Sequence, residues 1–214
     1  MPIAQNSSPA SALTTQVIVM EKAPVAGKVK TRLIPVLGEE GAALLAKQLL
    51  EHTLAQVLKS DAVAALCMEP EPFHADWLDV DPDLIKKFEQ APQAGYDLGD
   101  RLKSAYQLSA ERFGSTVFVG MDCPELNGDL INKAIEKLSE ADVVITPSTD
   151  GGYVLIGMRG HYPELFDQIS WSTDQVMRQT LAQAQDLGLK VHLFAALTDI
   201  DEPSDLVHLP KDLR

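Results

Sequence analysis

Short apolar runs alternate with helix-period segments along almost the whole chain, and this alternation most limits its fold. Residues 16–20 (QVIVM) form a β-branched apolar run, the signature of a buried strand. From Gly38 to Ser60, Leu44, Leu45, Leu49, Thr53, Leu54, Val57 and Leu58 recur at helical spacing. Further strands are predicted at 62–68, 85–90, 116–121, 142–146, 153–157 and 190–194. Helices are predicted at 98–113, at 127–139 with Asp129 in the first turn, and at 173–187, capped by Ser172 or Thr173 and stopped by Gly188. Residues 69–83 carry Pro70, Pro72 and Pro82, so any helix there is short. Strands alternating with helices give an α/β chain with a mostly parallel sheet and helices on both faces. The closely spaced runs around PSTDGG predict one antiparallel or irregular pairing late in the sheet.

Composition places the chain among ordinary globular proteins: 214 residues, 45% apolar and 23% charged, with a net charge of −13. No internal repeat or composition break divides 16–214, so one domain is expected there, preceded by a polar, Ser-rich arm over 1–15. That arm lacks the basic and apolar regions of a signal peptide, and no apolar stretch reaches bilayer length, so a cytoplasmic protein with no membrane partner is expected. Cys67 and Cys123 lie in or beside apolar runs outside any CxxC, as buried thiols in a reducing compartment would. The acidic balance argues against nucleic-acid binding. The charge is uneven, however. Residues 1–60 hold 6 Lys or Arg against 4 Asp or Glu, and four of the six are Lys22, Lys28, Lys30 and Arg32. A basic cluster in an acidic protein points to a specific anion site.

In open α/β sheets, ligands bind beyond the carboxyl ends of the strands, so the residues following each run carry most of the functional signal. EKAPVAGKVKTRL follows the first run. It is no P-loop, because Lys22 stands at the first Gly position and Val29 replaces the metal-binding Ser or Thr. Lysines neutralise phosphate as point charges and Arg grips it bidentately, so this loop is read as a phosphate site. Asp122 leaves the 116–121 strand ahead of Pro124, and two readings stand: a ligand for a hard cation, or a cap for the helix beginning near 127. Asp150, Gly151 and Gly152 make either a plain hairpin turn or a bare backbone that a ligand approaches closely. Asp199 and Asp201 share one side of an extended segment, which supplies a second cation ligand or is a solvated acidic tail. Gly95, Asp97, Gly99 and Arg101 open a helix that either meets an anion or is an ordinary helix start. The five histidines show no zinc spacing, and there is no G-x-S-x-G nucleophile elbow.

Taken in order, KAPVAGKVKTRL, GYDLGDRL, VGMDCPEL, DGGYVLIG, WSTDQV and TDIDEPSDL resemble the DUF2064 family, also called the radical-SAM/selenodomain-associated transferase 1 family. The resemblance runs from Gln16 to Leu206 and implies a GT-A-like fold of the nucleotide-diphospho-sugar transferase superfamily. Ala26 stands where the family loop carries Pro, and Gly27 is the loop's one glycine. The resemblance implies a phosphate loop over Lys22, Ala23, Pro24, Gly27, Lys28, Lys30 and Arg32, with Lys28 and Arg32 stabilising a leaving phosphate. It further implies Mg²⁺ or Mn²⁺ on Asp122 with Asp201 or Asp199. Two chemistries follow from the superfamily. One is nucleotidyl transfer from an NTP to a phosphorylated acceptor, releasing pyrophosphate. The other is glycosyl transfer from a nucleotide sugar, with Asp150 as base. A nucleotide-binding module without turnover is the third reading.

Overall fold

In the computed structural model, residues 14–69 and 80–213 are described. The predicted arm falls almost wholly outside them, as do Pro70 and Pro72. Seven strands form one sheet: β1 (Thr15–Lys22), β2 (Val63–Glu69), β3 (Glu89–Pro92), β4 (Ser115–Val119), β5 (Val143–Pro147), β6 (Tyr153–Arg159) and β7 (Val191–Leu193). Their order is β3-β2-β1-β4-β6-β5-β7. β6 alone runs antiparallel, between β4 and β5, and the register shifts at Thr146 and Pro147. The other neighbouring pairs are parallel. Six strands therefore end on one edge of the sheet, and β6 begins there.

β1 shows why such runs lie at the centre of a sheet. Val17 and Val19 enter one apolar cluster with Leu50 and Leu54 of helix α1 (Ile34–Val57) and Ile131 of helix α4 (Gly128–Lys137). Ile18 and Met20 enter another, with Leu102 and Tyr106 of helix α3 (Leu98–Ala110) and Ala184 of helix α5 (Val176–Asp186). A strand covered on both faces must be apolar at every position, which is the pattern of a parallel sheet between helical layers. Among the described residues no helix is long and apolar enough to cross a membrane.

Several boundaries differ from expectation. The third strand is not at 85–90: helix α2 (Pro82–Ile85) takes that start, with Asp81 accepting from the Asp83 N–H, and β3 follows at Glu89–Pro92. Pro82 at the first helical position favours the turn. α1 begins four residues before Gly38, where the chain kinks at φ 72°. α5 starts at Val176, and neither Ser172 nor Thr173 is its N-cap, since Ser172 sits at φ 61° in the preceding loop.

Candidate functional site

The carboxyl edge of the sheet opens into a cleft of about 870 Å³. The loop after β1 supplies one wall, with Lys22, Lys28, Lys30 and Arg32, and the exits of β4 and β5 supply Asp122, Asp150 and Gly152. Asp199 and Asp201 come from the segment after β7, while Asp97 and Arg101 come from the start of α3. Residues from the two ends of the chain thus meet at one edge, as the strand order requires.

The C-terminal segment is fixed by Ile200. Its side chain is fully buried among Leu33, Leu45 and Leu49, and its N–H donates to the Asp122 carbonyl at 2.8 Å. Burying Ile200 turns Asp199 and Asp201 the other way, toward the cleft. The alternation read from the sequence is therefore real, and the segment is not a solvated tail. Asp122 does not cap α4, because Asn127 accepts from the Leu130 N–H at 3.0 Å and fills that role.

Asp122 and Asp201 converge on one nitrogen. The Lys30 ammonium lies 2.5 Å from Asp122 Oδ1 and 2.8 Å from Asp201 Oδ1, and it donates to the Ile200 carbonyl at 2.6 Å. Lys30 therefore does not stand free for phosphate beside Lys28, as the loop's charge pattern predicts, but is the counter-ion of the carboxylates. Burial opposes its charge, but Asp122 and then Asp201 outweigh burial and hold its pKa above the ordinary value. Burial pushes the Asp122 carboxyl up, against the pull of Lys30, and Asp201 adds to the rise. The Asp122 side chain is about one-third exposed, yet its Oδ1 is buried without an aligned hydrogen bond, so the short Lys30 contact is an ion pair. Two carboxylates and a carbonyl make the all-oxygen donor set that hard divalent cations prefer. No group of three or more His, Cys, Asp or Glu poised to hold a metal occurs among the described residues.

A residue not singled out from the sequence completes the carboxylate side. Glu21, at the end of β1, accepts the Met121 N–H at 2.7 Å and ties β1 to the exit of β4. It lines both the main cleft and a smaller chamber of about 180 Å³ floored by Leu102, Phe118 and Ile156. Burial, and next the Asp122 charge, push Glu21 up to about 8 from an ordinary 4.5. Burial likewise pushes Asp199 up to about 7 from 3.8. Glu21 stands at the end of β1 much as Asp122 stands beyond β4, and its signal in the sequence is masked by the lysines that follow it. Tyr96, almost fully exposed, and Trp171 also line the cleft without having been predicted.

These carboxyls bind protons more tightly folded than unfolded. Their contribution to stability is complete below about pH 4 and is lost as pH rises through about 7 to 8. In chelator, the melting temperature should fall between pH 5.5 and 8.5, and Glu21→Gln should flatten that fall. A wild-type melting temperature that stays level over this range would contradict the shifts.

The remaining predicted residues divide between the fold and the cleft wall. Ala23 is buried in the core and Pro24 is buried beside it, and neither lines the cleft. Gly27 sits at φ 74° and Gly95 at φ 145°, which keeps the two loops' turns free of strain. Asp97 caps α3 by accepting the Asp100 N–H at 2.9 Å, and it also lines the cleft. Gly99 leaves room for Trp171, whose Nε1 would lie 2.6 Å from an added Cβ. Arg101 contributes to the cleft wall but is bound to Glu69. Asp150 Oδ1 accepts the Gly152 N–H at 2.9 Å, so the turn is self-supporting, with Gly152 facing the cleft. Gly151 does not line the cleft; it packs against the backbone of Asp174.

A protein from Desulfovibrio desulfuricans G20, proposed to be a nucleotide-diphospho-sugar transferase, is 32% identical, with a TM-score of 0.78 over 88% of this chain and 82% of its own. Two more distant structures share the fold. The 4-diphosphocytidyl-2C-methyl-D-erythritol synthase of Anaerococcus prevotii DSM 20548 is 12% identical, with a TM-score of 0.58 over 92% of this chain and 97% of its own. A CMP:2-keto-3-deoxy-manno-octonic acid synthetase complexed with CTP is 9% identical, with a TM-score of 0.53 over 91% and 96%. No curated protein matches the chain. The family model DUF2064, "Uncharacterized protein conserved in bacteria", matches residues 52–173. With that match over more than half its length, and a 32%-identical structure alongside it, the chain belongs to the DUF2064 family and has the nucleotide-diphospho-sugar transferase fold.

Proposed function

We propose that this protein is a metal-dependent transferase acting on a nucleotide phosphate, and that the transfer is nucleotidyl. The observation that carries the reading is the convergence, at one sheet edge, of the exposed loop cations Lys22, Lys28 and Arg32 with the carboxylates Asp122 and Asp201. The solved structures named above support a nucleotide as the ligand, one being a complex with CTP.

The chain's own residues divide the work. Lys28 and Arg32 bind the triphosphate and neutralise the leaving pyrophosphate, while Lys22 stands at the same wall. Asp122 and Asp201, with Asp199 near them, would hold Mg²⁺ or Mn²⁺. When bound, that ion would neutralise phosphate charge beside the reacting phosphorus. Tyr96 and Trp171 line the same cleft and would border the acceptor phosphate, which the cleft walls would hold in line with the bond that breaks. A glycosyl-transfer reading is favoured by one observation, the Asp150 carboxylate facing the cleft as a base for an acceptor hydroxyl.

The test is a thermal-shift screen of NTPs and nucleotide sugars with and without Mg²⁺. Ligand at about a hundred times its dissociation constant stabilises by roughly 2.7 kcal/mol. The stabilising ligand is then assayed for turnover, where released pyrophosphate supports nucleotidyl transfer and released NDP supports the alternative. Binding without turnover leaves the non-catalytic module, and no stabilising nucleotide refutes the reading. Lys28→Ala and Arg32→Ala should each weaken the bound nucleotide by about tenfold while barely moving the melting temperature, because both side chains are exposed. Unchanged affinity in both would remove the phosphate loop from the proposal.

A further inference from the structure

Lys30 holds a double position. It belongs to the basic loop that walls the cleft, yet its ammonium is paired with the carboxylates. It donates hydrogen bonds to Asp201 Oδ1 at 2.8 Å and to the Ile200 carbonyl at 2.6 Å, and it forms an ion pair with Asp122 Oδ1 at 2.5 Å. The side chain is 4% exposed, whereas that of Arg32 is 64% exposed. The backbone of Lys30 is left-handed, at φ 47° and ψ 41°, a conformation lysine seldom adopts. A non-glycine residue held there points to a constraint imposed by its contacts.

We propose that Lys30 is a tethered cation that fills the divalent-cation position between Asp122 and Asp201, and that it yields this position to the arriving ion and turns its ammonium to the nucleotide phosphate. The proposal rests on the reading above that this cleft binds a nucleotide together with a divalent cation. Mg²⁺ takes oxygen ligands at about 2.1 Å, so an ion seated between these two oxygens would overlap the ammonium that lies 2.5 and 2.8 Å from them. One cation must leave. The four-carbon stem of lysine is flexible enough to swing without moving the loop. The charge of the carboxylate pair stays compensated before and after the exchange, and the displaced ammonium needs an anion.

This sets Lys30 apart from Lys28 and Arg32. Those two bind phosphate from where they stand. Lys30 instead couples the two ligands. The ion binds weakly alone, because it must displace a satisfied ammonium, and more tightly once a phosphate is present to receive that ammonium. By linkage, the nucleotide's affinity rises by the same factor when the ion is present.

The experiment combines amine acylation, read residue by residue by mass spectrometry, with Mn²⁺ titration followed by electron paramagnetic resonance. In chelator, Lys30 should acylate slowly. Saturating Mg²⁺ alone should raise its rate at least tenfold and leave Lys59 and Lys103 unchanged. Lys30→Met should bind Mn²⁺ at least tenfold more tightly than wild type. Tighter binding by the variant while wild-type Lys30 stays protected at saturating Mg²⁺ would mean simple repulsion, and would overturn the exchange. Equal Mn²⁺ affinity in the two proteins would overturn it too, leaving the cation site itself intact. No Mn²⁺ binding to either protein would instead overturn the cation reading on which the exchange rests. Should Lys30→Met not fold, the acylation of wild type decides alone.

Discussion

Asp122→Asn is expected to remove cation-dependent turnover, by about a thousandfold or more, while the protein stays folded. Asp122 stands where β4 leaves the sheet, and its Oδ1 faces the point on which Asp201 and Lys30 also converge. An amide keeps the shape of the side chain but loses the charge that, in the proposed function, would hold a cation against phosphate. Lys30 keeps Asp201 and the Ile200 carbonyl as partners, so the fold loses one ion pair of three contacts. Burial already disfavours the charged Asp122, which limits the cost of neutralising it. Turnover and melting temperature, each measured with and without Mg²⁺, check this. Activity within tenfold of wild type would take Asp122 out of the cation site.

Gly151→Ala should be the most damaging small substitution at the turn between β5 and β6, costing about 3 kcal/mol or more. A Cβ there would lie 2.5 Å from the Asp174 carbonyl oxygen and 2.7 Å from its Cα, and the backbone sits at φ 95°. Neither obstacle gives easily, because both are backbone, and the Gly151 carbonyl also accepts the Met177 N–H at 2.8 Å. Gly152→Ala meets only Asp150 Oδ1, at 3.3 Å, and should cost far less stability. Because Gly152 faces the cleft, its damage should fall on activity more than on melting. Denaturant unfolding of both variants, set beside their turnover, separates the two roles. Equal losses of stability would show that the turn does not distinguish its two glycines.

The two predictions rest on different kinds of information. Asp122 could be singled out from the sequence because buried strands announce themselves: an apolar run with β-branched residues has to be covered on both faces, and whatever leaves its carboxyl end stands at the sheet edge. The same logic put the basic loop after β1 and the Asp199–Asp201 segment near the site. Gly151 could not be assigned this way. Its role depends on Asp174, 23 positions on, coming against it once the loop before α5 has folded.

The sequence by itself determined the α/β class, the mostly parallel sheet and the edge at which chemistry collects, because hydrophobic periodicity and turn chemistry are local and survive without knowledge of partners. It also carried the family, through six motifs in order. The tertiary structure decided which residues meet. β6 inserted between β4 and β5 aligns the exits of β4 and β5. Burial of Ile200 against α1 turns Asp201 toward Asp122. Lys30, grouped by charge with Lys28 and Arg32, faces the carboxylates instead, and Glu21 becomes a proton-holding group at the same edge. A pattern of charges along a chain does not say which charge is desolvated or what lies opposite it. Desolvation and Coulomb partners are properties of packing between distant segments, and they fix the chemistry of this site.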